Sequence, residues 1–397
     1  MKIAVFVEKF YPHGSGGELA TYLILKNLSD FKGLRISVFT GSENYAKIDG
    51  VSINYIPLLS GSLADSWPNI VMHQDWFLNT IKDFDVVYIP GYLYPLIDLA
   101  KSAKKKVIVH LHGYQPISIT SVVYRYDPFK YSKNIITDMR RIVWYSVAQG
   151  NYKGIFRAPM ASLLPLIRLW ISKADVIIAV SKKQFEILSS DFPPLRNKIK
   201  VIYNLPPEIC VEKNVSKHPY FIYLGGDSFI KGFPIFVKSL YMGCKRTTLT
   251  TAEFIFLNKY NQSNLNILNK VAKSCGYRIR ILGRIEYEQM KKLHEKSWAL
   301  IFPSHYEEPL PYAIVESMLG ATIPVASKVG GVEEIIPKDF YSFLLDPLDA
   351  NELLKKLEII SSLDSHTVME FGCKLREYAR KFLDPGKIKE ELLKVFL

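Results

Sequence analysis

Two glutamates with seven residues between them, Glu308 and Glu316, stand in the segment SHYEEPLPYAIVE, where the second interrupts an apolar run. Glu316 falls between Val315 and Met318 on a predicted helix whose other residues would belong to the core. Burying a carboxylate without partners costs several kcal/mol, so Glu316 needs groups that donate hydrogen bonds to it. The hydroxyls of a sugar or of a ribose would be such groups.

Glycines follow the first predicted strand in each half of the chain. Gly16 and Gly17 occupy this place in the first half, and Gly225 and Gly226 occupy it in the second, with Lys231 a few residues later. Backbone N–H groups in such loops can approach an anion at a helix N-terminus, and a lysine can set its ammonium against a phosphate. Each loop alone could be a tight turn near a solvated lysine. Their repetition favours phosphate binding between the two halves.

The glutamate pair is predicted to straddle the start of a helix. Residues 299–304, ALIFPS, read as a buried strand, and Pro311 suits the first helical position because its missing N–H is not needed there. The helix N-terminus would then point into the cleft and add a positive dipole end beside Lys231.

Length and composition indicate a folded protein of two domains. The chain has 397 residues, of which 48% are hydrophobic and 22% charged. Its four cysteines are scattered without C-x-x-C spacing, so we expect neither a disulfide framework nor a zinc site, and a reducing cytoplasm fits best. No stretch is expected to span a membrane. The nearest, residues 158–180, is interrupted by Arg168, Lys173 and Asp175.

The positive charge is concentrated in one quarter of the chain. The net charge is +13, and residues 101–200 carry 18 Lys and Arg against 5 Asp and Glu, while the remainder carries 33 of each. Basic and bulky apolar residues interleave there, which suits an anionic lipid surface or a phosphate-bearing partner. A generally basic surface is the alternative. No known nucleic-acid-binding module is visible, so we expect no nucleic-acid partner.

Short Val- and Ile-rich runs alternate with helical patterns, which predicts an α/β protein with parallel sheets. A proline-rich stretch without periodicity separates two sets of such strands. The predicted units are a Rossmann-like N-terminal domain (1–204), a linker (205–219), a Rossmann-like C-terminal domain (220–364) and C-terminal helices (365–397).

The segment PSHYEEPLPYAIVESMLGATIPVASKVGGVEEII resembles the C-terminal signature of the retaining GT-B glycosyltransferases of family 4 (glycosyl transferases group 1). The hallmark of that family is two glutamates at the spacing of Glu308 and Glu316, which Glu307 does not meet. Other segments similar to the family follow in its order: GSGGE, VIVHLHG, ADVIIAVS, KVIYN, GGDSFIKG and ILGRI. The resemblance implies the GT-B architecture, in which two doubly wound Rossmann-like domains face each other across a cleft and C-terminal helices pack back toward the N-terminal domain.

The resemblance also implies roles for individual residues. Glu316 would hold the ribose hydroxyls of a nucleotide, and Glu308 would contact hydroxyls of the donor sugar. Lys231 would neutralise the leaving diphosphate. His112 would reach the donor sugar, with His110 as a competing candidate. The remaining residues implied in nucleotide-sugar binding are Gly16, Gly17, Gly225, Gly226, Leu310, Tyr312 and Arg284. The family usually has an arginine where Gly226 stands, and either Arg284 or a residue of the basic N-terminal region would replace it.

The function implied is transfer of a sugar from a nucleoside-diphosphate sugar to a hydroxyl, with retention of anomeric configuration. We see no D-x-D motif whose carboxylates would hold a divalent ion, and we expect neither a metal nor another cofactor. The acceptor is expected to be a glycan or lipid-linked molecule, met by a cytoplasmic enzyme in peripheral contact with an anionic membrane through residues 101–200. The alternatives are a non-catalytic glycan-binding or scaffold subunit and a sugar-nucleotide epimerase or hydrolase.

Overall fold

The computed structural model describes residues 1–127, 129, 134–209, 211–244 and 246–397. Five residues of the basic quarter, 128 and 130–133, and residue 210 of the predicted linker lie outside the described residues. The described chain forms two parallel sheets, one on each side of the predicted linker.

The N-terminal sheet has seven parallel strands within the described residues, in the order β3-β2-β1-β4-β5-β6-β7. Its strands are β1 Lys2–Val7, β2 Arg35–Thr40, β3 Val51–Tyr55, β4 Val86–Ile89, β5 Lys106–Leu111, β6 Val176–Ala179 and β7 Ile199–Val201. The helices around it are α1 Gly16–Ser29, α2 Leu63–Met72, α3 Gln74–Lys82, α4 Pro95–Ser102, α5 Ile135–Ala148, α6 Leu164–Ser172 and α7 Lys182–Asp191.

The C-terminal sheet has six parallel strands in the part of the chain that the structure describes, in the order β10-β9-β8-β11-β12-β13. They are β8 Tyr220–Tyr223, β9 Glu253–Phe256, β10 Arg278–Ile281, β11 Ala299–Phe302, β12 Ile323–Ser327 and β13 Leu344–Leu345. The helices are α8 Phe233–Met242, α9 Gln262–Cys275, α10 Tyr287–Lys296, α11 Tyr312–Leu319, α12 Val332–Ile335, α13 Ala350–Ser361, α14 Ser365–Phe382 and α15 Pro385–Phe396. Short 3-10 helices lie at Pro57–Leu59, Tyr152–Leu163, Pro193–Lys198, Thr247–Leu249 and Lys338–Phe343.

Helices cover both faces of each sheet, which explains why the strands read as unbroken apolar runs. In both sheets the order reverses beside the first strand of the domain, β1 or β8, and such a reversal is where open α/β sheets bind ligands. The fold is therefore the doubly wound α/β architecture predicted from the sequence.

The last helix returns to the N-terminal domain, as the resemblance implied. The Phe396 ring at the end of α15 lies 5.1 Å from the ring of Tyr88 on β4, measured between centroids. The Lys106 ammonium donates to the Phe396 carbonyl at 3.2 Å. The C-terminus thus ties the two domains together.

Two expectations from the sequence are corrected. Cys244 and Cys275 form a disulfide that joins the chain just after α8 to the end of α9. Their separation of 31 residues gives no signal in the sequence, because the two helix ends meet only in the folded domain. The cysteines therefore no longer support a reducing cytoplasm.

The second correction concerns membrane-spanning segments. Tyr152–Ser172 is a helical stretch long and apolar enough to cross a membrane, by length and composition alone. Its α6 part packs Ile167 and Ile171 into the core, whereas Phe156 in the 3-10 part is 86% exposed. In this structure the segment is part core helix and part surface.

Candidate active site

A cavity of about 240 Å³ opens between the two sheets, at the carboxyl ends of the strands. Both domains contribute to its wall. Seven of the residues predicted from the sequence line it: Gly16, Gly17, His112, Lys231, Glu308, Leu310 and Tyr312. These residues come from four separate segments of the chain, and only the folding of both domains brings them together.

Lys231 and Glu308 form an ion pair in the wall of the cavity. The lysine Nζ lies 2.5 Å from Glu308 Oε1, and the Ser304 hydroxyl donates to the same oxygen at 3.1 Å. The Glu308 side chain is 5% exposed and that of Lys231 is 34% exposed. The ammonium also lies 5.0 Å from the centroid of the Tyr306 ring, a cation–π distance. The pair thus presents one cation and one acceptor side by side to a ligand.

A glycine turn fixes the backbone of Glu308. Gly331 N–H donates to the Glu308 carbonyl at 2.8 Å. Gly330 has φ +51°, and a Cβ there would lie 1.8 Å from the Glu308 carbonyl oxygen, so only glycine fits. The valine-glycine-glycine segment of the sequence therefore positions the first glutamate of the pair.

His112 contributes a neutral imidazole from the N-terminal domain. Burial lowers its pKa to about 4, and its Nε2 has no hydrogen-bond partner among the described residues. Gly17 packs on it, since a Cβ at Gly17 would lie 3.3 Å from the ring. His110, the competing candidate, lines a smaller pocket beside the cavity rather than the cavity itself.

The start of α11 forms another part of the wall. The prediction that Pro311 is the first helical residue was wrong by one position, because Pro311 is the N-cap and the helix begins at Tyr312. The Tyr312 hydroxyl donates to the Leu205 carbonyl at 2.9 Å, and a Cβ at Gly16 would lie 3.2 Å from the Tyr312 ring. The N-termini of α1 and α11 therefore approach each other across the cleft, where both dipoles favour an anion.

Glu316 is the fifth residue of α11, and its side chain is half-buried. Its neighbours Val315 and Met318 are core residues. Burial raises the pKa of Glu316 from 4.5 to about 7. Burial, with a smaller contribution from Glu316, raises the pKa values of the neighbouring Tyr11 and Tyr287. The buried Tyr287 hydroxyl has no hydrogen-bond partner among the described residues. A carboxylate and a free hydroxyl therefore stand together near the cleft.

Four predicted residues do not line the cavity: Glu316, which lies further along α11, and Gly225, Gly226 and Arg284. Gly225 abuts Lys231, since a Cβ there would lie 2.8 Å from the lysine Cβ. Gly226, with φ +59°, packs against Asn258 and the Lys259 carbonyl. Arg284 is exposed beyond β10 and is not among the lining residues.

Two family models match nearly the whole chain. Glycosyltransferase Family 4 matches residues 14–205, and Glycosyl transferases group 1 matches residues 211–382. The chain belongs to the group 1/family 4-like GT-B glycosyltransferases. The boundary between the two matches falls inside the predicted linker.

Individual relatives of this glycosyltransferase are distant. An uncharacterized glycosyltransferase of Methanocaldococcus jannaschii is 27% identical over 231 residues, which are 56% of this chain and 61% of the relative. The chain thus spans less than two thirds of that relative's length. The structure of Anabaena HepE in complex with UDP-glucose aligns with a TM-score of 0.70 at 17% identity, over 100% of this chain and 99% of that one. Sucrose-phosphate synthase from Thermosynechococcus elongatus aligns with a TM-score of 0.73 at 14% identity, covering 100% and 98%.

Glu307, which the spacing set aside, joins the two domains of the glycosyltransferase. Its N–H donates to the Val123 carbonyl at 2.7 Å, and Arg125 N–H donates to the His305 carbonyl at 3.1 Å. The Glu307 carboxylate accepts from Gly330 N–H at 2.5 Å and pairs with the Arg125 guanidinium at 3.4 Å. This antiparallel bridge crosses the cleft immediately before Glu308.

Glu334 makes a second connection between the domains. Its carboxylate accepts from the N–H groups of Lys182 at 2.9 Å and Lys183 at 2.5 Å, and from the Tyr203 hydroxyl at 2.8 Å. It therefore caps the N-terminus of α7 from the opposite domain. Neither this contact nor that of Glu307 had a local sequence signal, because both partners are more than 100 residues away.

The described residues contain no group of three or more His, Cys, Asp or Glu side chains placed to hold a metal ion. One Asp-x-Asp segment does occur, at Asp83-Phe84-Asp85. Asp85 accepts the Lys2 N–H at 2.7 Å at the amino end of β4, on the side of the sheet opposite the cavity.

Proposed function

We propose that this glycosyltransferase moves a sugar from a nucleoside-diphosphate sugar to a hydroxyl acceptor, with retention of anomeric configuration and without a metal. The main support for this proposal is that Lys231 and Glu308 line one cavity together with His112 and the start of α11. That cavity presents the Lys231 ammonium and two helix dipole ends to a diphosphate, and hydrogen-bonding groups to a sugar.

The diphosphate would lie between Lys231 and the two helix N-termini. Negative charge on the leaving group grows as the bond to the sugar breaks, and groups already aimed at that charge lower the barrier. Lys231 is held by Glu308 in the ligand-free protein, so a diphosphate would take one of its remaining N–H donors. The related HepE structures contain UDP-glucose and UDP, which supports a UDP-sugar as the first donor to test.

The sugar and the ribose would occupy opposite sides of the diphosphate. Glu308 Oε2 and the unpartnered His112 Nε2 would bind sugar hydroxyls. Glu316 would accept hydrogen bonds from the ribose hydroxyls, with the unpartnered Tyr287 hydroxyl beside it. These ligand contacts would satisfy polar groups whose burial is unfavourable in the free protein.

The reaction would proceed on one face of the sugar. The bond from the anomeric carbon to the diphosphate breaks, and its electron pair goes to the leaving oxygen. The acceptor oxygen bonds to the same face, and its proton passes to the departing phosphate. Closure of the cleft by the Glu307 and Glu334 contacts would exclude water and limit hydrolysis of the donor.

The acceptor would enter from the N-terminal domain and be held at an anionic membrane. Tyr152 and Phe156 are 67% and 86% exposed on the 3-10 segment, with the exposed cations Lys153 and Arg157 beside them. Aromatic and basic residues in alternation suit the headgroup layer. Next to this segment, a cavity of about 500 Å³ lined in part by Leu63, Ile119 and Met160 could take an acyl or prenyl chain.

The test is to measure thermal stabilisation by UDP-, GDP- and ADP-sugars and then product formation with the donor that binds. NMR of the product gives the anomeric configuration, and an assay with EDTA tests metal independence. We expect Lys231→Met to reduce UDP affinity and the rate together, and Glu308→Gln to reduce the rate mainly.

Each part of the proposal can fail separately. The absence of any shift with all three donors would overturn nucleotide-sugar binding. An inverted product would overturn retention, and loss of activity in EDTA would overturn metal independence. Full activity of Glu308→Gln would overturn the role proposed for Glu308. No transfer by the wild-type protein with a donor that binds would favour the non-catalytic scaffold alternative, and sugar released at full rate without an acceptor would favour a hydrolase.

A further inference from the structure

A small pocket of about 90 Å³ lies beside the cleft cavity on the N-terminal side. It shares Ser15, Gly17 and His112 with that cavity, so the two spaces are neighbours across the glycine loop. Its volume holds a few waters or the hydroxyl-bearing edge of one sugar ring. It is too small for a nucleotide.

Buried polar atoms without partners line this pocket. The Tyr94 hydroxyl, His110 Nε2 and both amide atoms of Gln115 make no hydrogen bond within the described residues, although these side chains are only 1–2% exposed. The Tyr92 hydroxyl lies close to the side chains of Gln115 and Ser121. An unsatisfied buried polar group costs about 1–3 kcal/mol. Three such side chains around one pocket indicate that a bound polar group supplies the missing hydrogen bonds.

The His110 ring is oriented for a ligand that both donates and accepts. Its Nδ1 is 2.8 Å from the Tyr88 hydroxyl, and burial lowers its pKa well below the ordinary value, so the ring is neutral. Nε2 then faces the pocket as a donor or an acceptor, according to which way the proton of the Tyr88 contact lies. A hydroxyl group matches either state.

The charge of the pocket disfavours an anion. Glu8 accepts the Tyr92 N–H at 2.7 Å, and Glu18 accepts the Ser15 N–H at 2.6 Å. Each carboxylate retains further acceptor sites for hydroxyl donors. Lys9 is the pocket's one lining cation among the described residues, and it is exposed. A phosphate placed here would face Glu18 and Glu8, and the Glu8 carboxyl, whose pKa burial raises to about 7, carries its full negative charge only above that pH.

We propose that this pocket binds the reacting end of the acceptor and that this end is an uncharged polyhydroxyl group, a sugar or another polyol, rather than a phosphate ester. The inference rests on the proposed glycosyl transfer and names the chemical class of its acceptor. Any phosphate of a lipid-linked acceptor would lie outside the pocket.

The test uses the full chain loaded with UDP, with methyl β-D-glucopyranoside and glucose 6-phosphate as probes in saturation-transfer NMR and calorimetry. We expect the uncharged glycoside to bind and the phosphate ester to bind more weakly. Gln115→Leu and Tyr94→Phe remove pocket hydrogen bonds with little change in volume, and each should weaken glycoside binding about three- to tenfold. Both should leave UDP affinity unchanged.

Thermal unfolding separates ligand binding from a structural role. Because the wild-type groups are buried without partners, Gln115→Leu and Tyr94→Phe should leave the melting temperature equal or higher. Tyr260→Phe is the matched control, since the Tyr260 hydroxyl is also buried without a partner but lies in the C-terminal domain. Tyr260→Phe should change the affinity for neither the glycoside nor glucose 6-phosphate.

Several results would overturn the pocket assignment while UDP still binds. These are no binding of the glycoside, tighter binding of glucose 6-phosphate, unchanged glycoside binding in both variants, or a lower melting temperature in both. Failure of UDP itself to bind the wild-type protein would instead overturn the proposed function.

Discussion

Replacing Glu316 with glutamine should stabilise the ligand-free protein at pH 8 and weaken nucleotide binding at the same time. The carboxylate is half-buried among apolar neighbours, and burial raises its pKa from 4.5 to about 7. An ordinary structural residue would show the opposite pattern, because its loss would destabilise the fold.

The direction in which pH changes the stability follows from proton binding to Glu316. Between pH 4.5 and about 7 the folded protein holds a proton on Glu316 that the unfolded chain has lost, so stability falls as the pH rises through this window. Above pH 7 the difference in pKa corresponds to about 3 kcal/mol of lost stability. Partial hydration of a half-buried side chain reduces this to about 1–3 kcal/mol. Glutamine has no charge to bury, so Glu316→Gln avoids the loss.

The assay is thermal unfolding of both proteins at pH 5 and pH 8, with and without UDP. At pH 8 the variant should melt roughly 2–6 °C higher without ligand. At pH 5 the gap should shrink to below about 1 kcal/mol, because most of Glu316 is then protonated in the folded protein. The variant should lose about 10- to 100-fold in UDP affinity, the worth of a hydrogen bond to a charged acceptor. Wild-type UDP affinity should rise with pH toward 8.

The control is Glu377→Gln, which alters an exposed glutamate on α14 and should change neither property. A lower melting temperature of Glu316→Gln at pH 8, with UDP affinity retained, would refute the reasoning. Glu316 would then have a structural partner and no role at the ribose.

Three further predictions concern the domain bridge, the membrane surface and the disulfide. Arg125→Ala leaves Glu307 without its cation, so we expect kcat to fall several-fold with UDP affinity unchanged; equal kcat would show that the bridge does not position the site. Phe156→Ser removes an exposed aromatic ring and should reduce salt-sensitive sedimentation with anionic vesicles, and equal sedimentation would contradict membrane contact at that segment. Reducing the Cys244–Cys275 disulfide should lower the unfolding free energy by about 3 kcal/mol, and an unchanged denaturation midpoint with reductant would contradict this.

The fold could be predicted from the sequence because the strands of a parallel sheet are buried on both faces. Runs such as Ala299–Phe302 are apolar throughout and bounded by loop residues, so a strand can be recognised from a short stretch of sequence. The grouping of several candidate site residues around one cavity could be predicted for the same reason. Glu308, Lys231 and His112 each follow directly on a strand or its glycine loop, and strand ends converge at one edge of each sheet.

Contacts across the cleft could not be predicted in the same way. Glu307 and Glu334 act on Arg125 and on the start of α7, more than 100 residues distant, and their own neighbours in the sequence give no sign of it. The spacing selects Glu308 and assigns no role to Glu307. In the structure the two adjacent glutamates face different tasks, since one pairs with Lys231 in the cavity and the other crosses between domains.

In the proposed mechanism, this division of roles would couple closure of the cleft to the chemistry. Gly330 donates to the Glu307 carboxylate while its neighbour Gly331 donates to the Glu308 carbonyl, so one turn holds both glutamates. A motion that breaks the Arg125 contact would therefore pull on the same turn that fixes Glu308. Opening the domains to release UDP would loosen the Glu308–Lys231 pair, and closing them would restore it. The glutamate that looked redundant in the sequence would thereby make the position of Glu308, the proposed catalytic residue, depend on whether the cleft is closed.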